Sequence, residues 1–265
     1  MIELKNDSLE FSFPDVHPSA KVTISFQRTL RIPDDGANYP LPPNLGNFPL
    51  LHVDDYQKRV PAPWVEHGGV MLPMYQSEAM WIRFSGHYDE ARRTTYPFAI
   101  KIATGKINAV SGHSWEPGLN RTPRQDYVVV PLQPWIDGYC VGQSIVRQFV
   151  AMPLDGGYTA EEQVAGKGEY GGIQIMAKPM LKEAFERRFP IVPKVEPGAR
   201  YSVTAHRGIM FAARAPDMGL APGGRMKQDI YTDKYDLNDW PAYTNSRCFV
   251  HIANSMVWRQ ITGRN

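Results

Sequence analysis

Cysteine is scarce in this chain, and no apolar run approaches the length of a membrane helix. Only Cys140 and Cys248 occur among the 265 residues, too few for the disulfide framework of a stapled secreted domain. A membrane helix needs about 20 consecutive apolar residues, and the N-terminal segment lacks the apolar centre of a signal peptide. We therefore predict a soluble, cytoplasmic protein with two free thiols and no membrane partner.

An excess of charge of one sign is also missing. The chain has 29 basic and 27 acidic residues, which gives a net charge of +2, and the two signs are interspersed. Nucleic-acid-binding proteins concentrate positive charge on one face, and anionic membranes attract basic clusters. The balanced charge therefore predicts no nucleic-acid partner.

Glycine and proline are abundant, with 22 and 23 residues, and indicate many turns. Between these turns the even positions of 22–32 are apolar except for Arg28, and this period of two is typical of a strand with one buried face. Similar short runs are found at 69–75, 79–85, 97–103, 106–111, 126–131, 145–152, 172–177, 201–206, 226–231, 247–253 and 255–261. The pattern predicts an all-β, mainly antiparallel fold, either a β-sandwich or jelly-roll-like.

One segment, 179–189, predicts a short helix, because Leu181 and Phe185 share a face and Pro190 ends the pattern. The Pro- and Gly-rich segments 38–46 and 216–224 are typical of surface loops. We expect a single β-rich domain over residues 1–265, with a subdivision near 178–200 as the alternative.

The pair Asp137-Gly138 lies between two apolar runs, which is a strong hairpin signal because Gly supplies positive φ angles freely. Pro131 and Pro134 interrupt the strand before it. Since proline donates no ladder hydrogen bond, we expect this strand at a sheet edge or with a bulge. Edge strands must be covered, charged or paired.

This edge is the predicted binding surface. Gln133 and Trp135 lie near its tip, and the following strand supplies Arg147 and Gln148, which hydrogen-bond outward if their face is not core. Trp81 offers a further aromatic face beside polar neighbours, which suits a sugar or a partner protein. The alternative is structural: Trp135 fills the core and Arg147 neutralises Asp137 or a nearby acid.

Three residues are weak candidates for catalysis. Glu78 precedes a predicted strand close to Trp81, Asp137 is a carboxylate at the predicted turn, and His113 lies between two serines. A solvated or ion-paired role is the ordinary alternative for Glu78, and a structural role as the turn residue is the alternative for Asp137. None of the three belongs to a recognisable nucleophile motif. The serine next to His113 carries little weight, because catalytic triads are assembled in space rather than in sequence.

Metal and cofactor motifs give no positive prediction. The seven histidines form no close metal-ligand spacing with each other or with cysteine. The glycines of residues 166–171 match G-x-G-x-x-G, but the residues that follow read as a strand instead of the helix that a dinucleotide site requires. We expect a turn there, no cofactor and no metal, although ligands from distant strands can converge.

Three blocks are characteristic together: GGVMLPMYQSEAMWIRF (68–84), KIATGKINAVSG (101–112) and QDYVVVPLQPWIDGYCVGQSIVRQFVAMPLDGGYTAEEQ (125–163). With GGRMKQDIY (223–231) and CFVHIANSMVWRQITG (248–263), they resemble a family of uncharacterised bacterial and fungal proteins. The resemblance covers about two thirds of the chain and implies no activity. No residue gains a catalytic role from it.

Two functional classes remain. The favoured interpretation is a non-enzymatic β-rich protein that assembles with itself or binds a protein or glycan partner. The alternative is a hydrolase that acts on a glycan or small ester with carboxylate acid/base residues. The first is preferred because catalytic motifs are absent where they are expected.

Self-assembly is the first testable prediction. The C-terminal run reads as paired strands, and the Pro-rich segment 38–50 is a candidate for ordering by a neighbouring subunit. We expect light scattering to give a mass of at least twice the 29.9 kDa of one chain. A monomer over a wide range of protein concentration would contradict the prediction.

Overall fold

The computed structural model describes residues 1–154, 156–168, 171–192, 218–243 and 246–264. It is 41% strand and 14% helix, which confirms the predicted all-β fold. The strands are β1 Ile2–Lys5, β2 Ser8–Ser12, β3 Lys21–Thr29, β4 Asn38–Tyr39, β5 Asn44–Asn47, β6 Leu51–His52, β7 Val70–Met74, β8 Ala79–Gly86, β9 Tyr88–Asp89, β10 Thr94–Thr95, β11 Phe98–Thr104, β12 Ile107–Asn108, β13 Val128–Val130, β14 Trp135–Ile136, β15 Gly138–Gly142, β16 Ile145–Pro153, β17 Ile173–Pro179, β18 Met218–Lys227 and β19 Arg247–Asn254. The α-helices are α1 Ala62–His67, α2 Ala160–Ala165, α3 Lys182–Arg188 and α4 Ser255–Thr262, and 3₁₀ turns cover Asp54–Tyr56 and Leu237–Asp239.

Two sheets contain most of these strands. The first has the order β1-β2-β3-β8-β16-β18-β4, with β5, β14 and β15 paired to β3, β8 and β16. The second has the order β12-β11-β17-β19-β7-β6, with β13 paired to β11. Among the described residues, the parallel pairs are β4 with β18 and β7 with β19, and the other pairs are antiparallel. The mainly antiparallel pairing is therefore as predicted.

The main core draws on both sheets. Phe26 and Ile82 from the first sheet and Ile100, Ile175 and Val250 from the second are fully buried in one hydrophobic cluster. The alternation predicted for 22–32 is seen in β3, where the even positions 22, 24 and 26 belong to this cluster. Burial of one face of each sheet against the other is the arrangement of a β-sandwich.

Helix α4 corrects the strand that the sequence predicted at 255–261. The Asn254 side chain accepts hydrogen bonds from the backbone N–H groups of Met256 and Val257, both at 2.9 Å. Gly263 ends the helix in the left-handed conformation, with φ of 69°. Trp258 and Ile261, three residues apart, are buried in a second small cluster. The capping residues therefore decide the structure of this apolar run.

Two other helices agree better with the sequence. The predicted helix at 179–189 is found as α3, although it is not the only helix of the described residues. Helix α2 begins with a capping box in which Thr159 and Glu162 bond each other's backbone N–H groups.

Part of the predicted loop at 216–224 is wrong, since residues 218–224 belong to β18. The predicted strand at 201–206 and the end of the 178–200 boundary lie outside the described residues.

The hairpin predicted at Asp137-Gly138 is also wrong. Strand β14 pairs with β8, whereas β15 pairs with β16. The chain thus passes from one partner strand to another at Asp137, and the reversal lies at Gln143-Ser144, where Ser144 takes a φ of 57°. Gly138 is needed for a different reason, because a Cβ there would collide with the backbone carbonyl of Arg147.

We expect Gly138→Ala to lower the free energy of unfolding by about 1–3 kcal/mol, because the added methyl group has to displace backbone in a packed sheet. The matched control is Gly142→Ala in the same strand, where the nearest atom, Ile145 Cβ, lies at 3.9 Å. Denaturant unfolding of both variants measures the difference. Equal losses would contradict the close approach at Gly138.

Candidate functional site

The two tryptophans of the predicted binding surface meet in the structure. Trp135 pairs in register with Arg83, two positions along β8 from Trp81. The two indole rings pack edge to face, with centroids 6.5 Å apart and an interplanar angle of 70°. Trp135 remains 37% exposed. The pair is therefore a partly open aromatic surface rather than part of the core.

Two polar residues predicted for the same surface, Gln148 and Arg147, hydrogen-bond to backbone groups instead. Gln148 is fully buried; its amide accepts from Ile32 N at 3.0 Å and donates to Leu30 O at 2.8 Å. Arg147 donates to Gly223 O at 2.8 Å and pairs with Asp34 at 2.6 Å, not with Asp137. The structure therefore does not bring these two side chains to Trp135.

Gln133 is buried beside β14. Its amide donates to Trp135 O at 3.0 Å and accepts from Tyr231 N at 3.1 Å. Strand β14 pairs with β8 alone among the described strands, as expected of an edge. The Gln133 amide therefore covers part of that edge and links it to the segment around Tyr231.

The three catalytic candidates lie in separate places. Glu78 accepts from Arg28 Nε at 3.1 Å and from Tyr75 N at 2.8 Å, and burial raises its pKa. His113 is exposed in the loop after β12. Asp137 is buried between β14 and β15. No hydrogen bond, ion pair or cavity of the described residues holds two of them together.

Asp137 forms a reciprocal pair with Gln228. The Gln228 amide accepts from Asp137 N at 3.0 Å and donates to the carboxylate at 2.7 Å. Burial raises the pKa of Asp137 to about 7, although hydrogen bonds from Trp135 and Gln228 act in the opposite direction. The backbone N–H of Gln228 also donates to Ser144 O at 3.2 Å. This pair fixes the point at which the chain leaves β18.

A cleft of about 670 Å³ opens beside the turn between β15 and β16. The loop before β13 contributes Arg124 and Gln125, β15 contributes Cys140, and the segment after β18 contributes Asp229 and Tyr231. We call it the Arg124 cleft. Its volume lies within the range of about 300–1,000 Å³ that is usual for small-molecule sites.

One wall of the Arg124 cleft is the loop between β12 and β13, and a buried lysine holds it. Lys101 on β11 is fully buried and pairs with Asp126 at 2.7 Å. Its ammonium group also donates to the backbone carbonyls of Glu116 and Gly118. The Asn108 side chain donates to Asp126 O at 2.8 Å. The loop that carries Arg124 is thus fixed at several points along its length.

The other wall is the segment after β18, and a buried carboxylate holds it. Asp233 accepts from Tyr127 Oη at 2.6 Å and from Trp240 Nε1 at 2.9 Å, and pairs with Arg121 at 2.6 Å. Gln125 joins the two walls, because its amide accepts from Asp233 N at 2.8 Å and donates to Tyr231 O at 3.2 Å. The cleft therefore has a preorganised backbone.

Arg124 is the half-buried cation of this cleft. Its guanidinium contacts the Cys140 thiol, and no carboxylate of the described residues pairs with it. Burial raises the pKa of Cys140 above its ordinary value, although the Arg124 charge acts in the opposite direction. The thiol is therefore neutral near pH 7 and does not compensate the guanidinium charge.

A smaller cavity of about 400 Å³ adjoins the cleft, and Arg124 lines both. His113 lines this smaller cavity together with Ser111, Glu116 and Asn120. Of the catalytic candidates, His113 is thus the one that lines a cavity next to the Arg124 cleft. The adjoining cavity is polar and extends the surface that a bound molecule could contact.

Sequence reasoning missed the cleft residues Arg124, Gln125 and Asp229. Arg124 occurs in the segment TPRQDY without a motif around it, and Asp229 occurs inside the predicted strand 226–231, although β18 ends at Lys227. Gln125 and Tyr231, which touch, are 106 positions apart.

The described residues also bear on metal binding, on the state of the two cysteines and on membrane crossing. No group of three or more His, Cys, Asp or Glu side chains within the described ranges could hold a metal ion. Both cysteines are free thiols, as predicted. None of the described helices is long and apolar enough to cross a membrane.

Comparison with known proteins gives no match: no family model, curated protein or solved structure is significantly similar to this chain. The resemblance to uncharacterised bacterial and fungal proteins therefore stays a prediction.

The pKa of Asp137 gives a testable pH dependence. The pKa of this carboxyl is near its ordinary value of 3.8 in the unfolded chain, whereas burial raises it to about 7 in the fold. Between these values the folded protein keeps a proton that the unfolded chain has lost, so its stability falls as the pH rises. We expect Asp137→Asn to reduce the fall in unfolding free energy between about pH 5 and pH 8 by about 3 kcal/mol, at about 1.4 kcal/mol per pH unit.

Denaturant unfolding at a series of pH values measures this effect. The control is Asp15→Asn, which changes an exposed acid and should leave the pH dependence unchanged. An identical pH dependence in Asp137→Asn and in the unmodified protein would show that Asp137 does not carry a raised pKa.

Proposed function

We propose that this is a non-enzymatic binding protein whose Arg124 cleft takes a small organic molecule with an anionic group. The observation that carries the proposal is Arg124 itself. Its half-buried guanidinium lines a cleft of about 670 Å³, and no carboxylate among the described residues neutralises it. A guanidinium binds carboxylate and phosphate groups through parallel hydrogen bonds.

The surroundings of Arg124 support a binding role. The neutral Cys140 thiol beside it leaves the charge uncompensated. The side chains of Gln143, Ser144 and Thr232 also line the cleft and offer uncharged hydrogen-bonding groups. A few polar groups on a rigid backbone are typical of small-molecule sites, because little conformational entropy is lost on binding.

The hydrolase interpretation remains the alternative proposal. Asp137 has a pKa suited to proton transfer near neutral pH, but it does not line the Arg124 cleft and instead bonds Gln228. Glu78, which directly precedes β8, is bonded to Arg28 and to the backbone of Tyr75. A hydrolase would need a second ionisable group close to Asp137 and the substrate, and the described residues place none there.

Binding of a protein or glycan partner at the Trp81–Trp135 pair also remains a proposal. An aromatic surface that is 37% exposed at Trp135 offers a face for a sugar ring or an apolar side chain. It lies outside the lining of the Arg124 cleft. Cytoplasmic location and self-assembly are further proposals that the cleft geometry neither requires nor opposes.

The proposal predicts weak but saturable binding of small anions at Arg124. We expect succinate, benzoate or inorganic phosphate to shift the amide NMR signals of residues 124, 125 and 231 with a common dissociation constant. Arg124→Met should weaken that binding at least about tenfold, because a hydrogen bond to a charged group contributes about 1.5–3 kcal/mol.

The matched control is Arg83→Met, which removes an exposed arginine on β8 outside the cleft. It should bind the same anions as the unmodified protein does. Equal melting temperatures of the two variants would separate lost binding from lost folding. If Arg124→Met binds every probe as well as Arg83→Met does, the proposed function is wrong.

A further inference from the structure

A carboxylate faces the same cleft as Arg124. Asp229 is exposed and lines the cleft together with Arg124. Neither side chain forms an ion pair among the described residues. The Arg124 cleft thus contains one positive and one negative group that do not neutralise each other.

Both charges are carried by fixed backbone. Gln228, directly before Asp229, bonds Asp137 and Ser144, and the Asp229 carbonyl accepts from Gln133 Nε2 at 3.3 Å. Two positions further along, Tyr231 N donates to Gln133 and Tyr231 O accepts from Gln125. The Asp229 backbone is therefore held from both sides.

The backbone of Arg124 is held on the opposite wall. Its neighbour Gln125 donates to Tyr127 O at 2.8 Å, and Asp126 is bound to the buried Lys101 at 2.7 Å. Each wall has its own hydrogen bonds, and no ion pair of the described residues joins Arg124 to Asp229. A molecule that carries both charges can then satisfy both residues at once.

From this arrangement we infer that the natural ligand is a zwitterion, an amine-bearing carboxylate of the amino-acid class. Its carboxylate binds Arg124 and its ammonium group binds Asp229. The inference rests on the proposed function of the cleft as an anion-binding site. Tyr231, which is 48% exposed and lines the same cleft, presents an aromatic ring that also favours an ammonium group.

The test compares matched pairs of probes that differ only in the amino group. The pairs are acetate and glycine, propionate and β-alanine, and butyrate and 4-aminobutyrate, so that the series also varies the distance between the two charges. We expect at least one amino compound to bind about two- to fivefold more tightly than its partner, which is the effect of one exposed ion pair. NMR titration gives the dissociation constants.

Two variants assign the effect to its residue. Asp229→Asn should abolish the preference for the amino compound and leave the affinity for the plain carboxylate within about twofold, since the amide keeps the size of the side chain. Asp15→Asn, which changes an exposed acid outside the cleft, should keep the preference. Thermal melting of both variants verifies that the fold is retained.

The outcomes separate the two proposals. If the carboxylates bind through Arg124 but the amino compounds bind no better, the zwitterion inference is overturned and the proposed function stands. If the preference persists in Asp229→Asn, the inference is likewise overturned, because another group recognises the amine. If no probe binds, or if Arg124→Met changes nothing, both proposals are wrong.

Discussion

The ammonium group of Lys101 is the constraint on which the candidate site depends. A fully buried charge costs several kcal/mol unless its hydrogen-bonding capacity is used. Asp126 and the carbonyls of Glu116 and Gly118 give Lys101 three acceptors, which matches its three donors. Since all three acceptors belong to the loop between β12 and β13, the loop cannot leave β11 without exposing or orphaning this charge. The position of Arg124 follows from that anchor.

Glutamine amides extend the same constraint to the second wall. The segment after β18 pairs with no strand of the described residues beyond Lys227, so its backbone N–H and C=O groups need other partners. Gln125 and Gln133 supply them, each with both a donor and an acceptor, and the Gln228 amide ties the start of the segment to Asp137. Side-chain amides thus replace a sheet ladder, and the segment keeps a defined path without adding a strand. A wall built in this way leaves its own side chains available to the cleft.

The parts of the fold that were predictable depend on local signals. The alternation in β3 and the shared face of Leu181 and Phe185 in α3 are properties of a few neighbouring residues. Helix α4 was missed because its apolar run also fits a strand, although Asn254 and Gly263 carried the capping signals. The hairpin predicted at Asp137-Gly138 was wrong because glycine is needed at position 138 for the close approach of the Arg147 carbonyl and not for a turn. For the predicted binding surface, the sequence indicated Trp81 and Trp135 as two aromatic residues of predicted strands. Their ring contact could be seen only in the structure.

The Arg124 cleft was not predictable because it is built from contacts between distant parts of the chain. Gln125 reaches Asp233 across 108 positions, and Asp137 reaches Gln228 across 91. These contacts fix the positions of the two walls, and they also affect whether the charges of the cleft can pair with each other. Opposite charges on mobile segments would be drawn into an ion pair, and the field that attracts a charged ligand would be largely cancelled. Lys101 holds the wall of Arg124 and Gln133 holds the backbone of Asp229, and both charges remain uncompensated among the described residues. The stability spent on buried polar groups away from the cleft is therefore what preserves the charges within it.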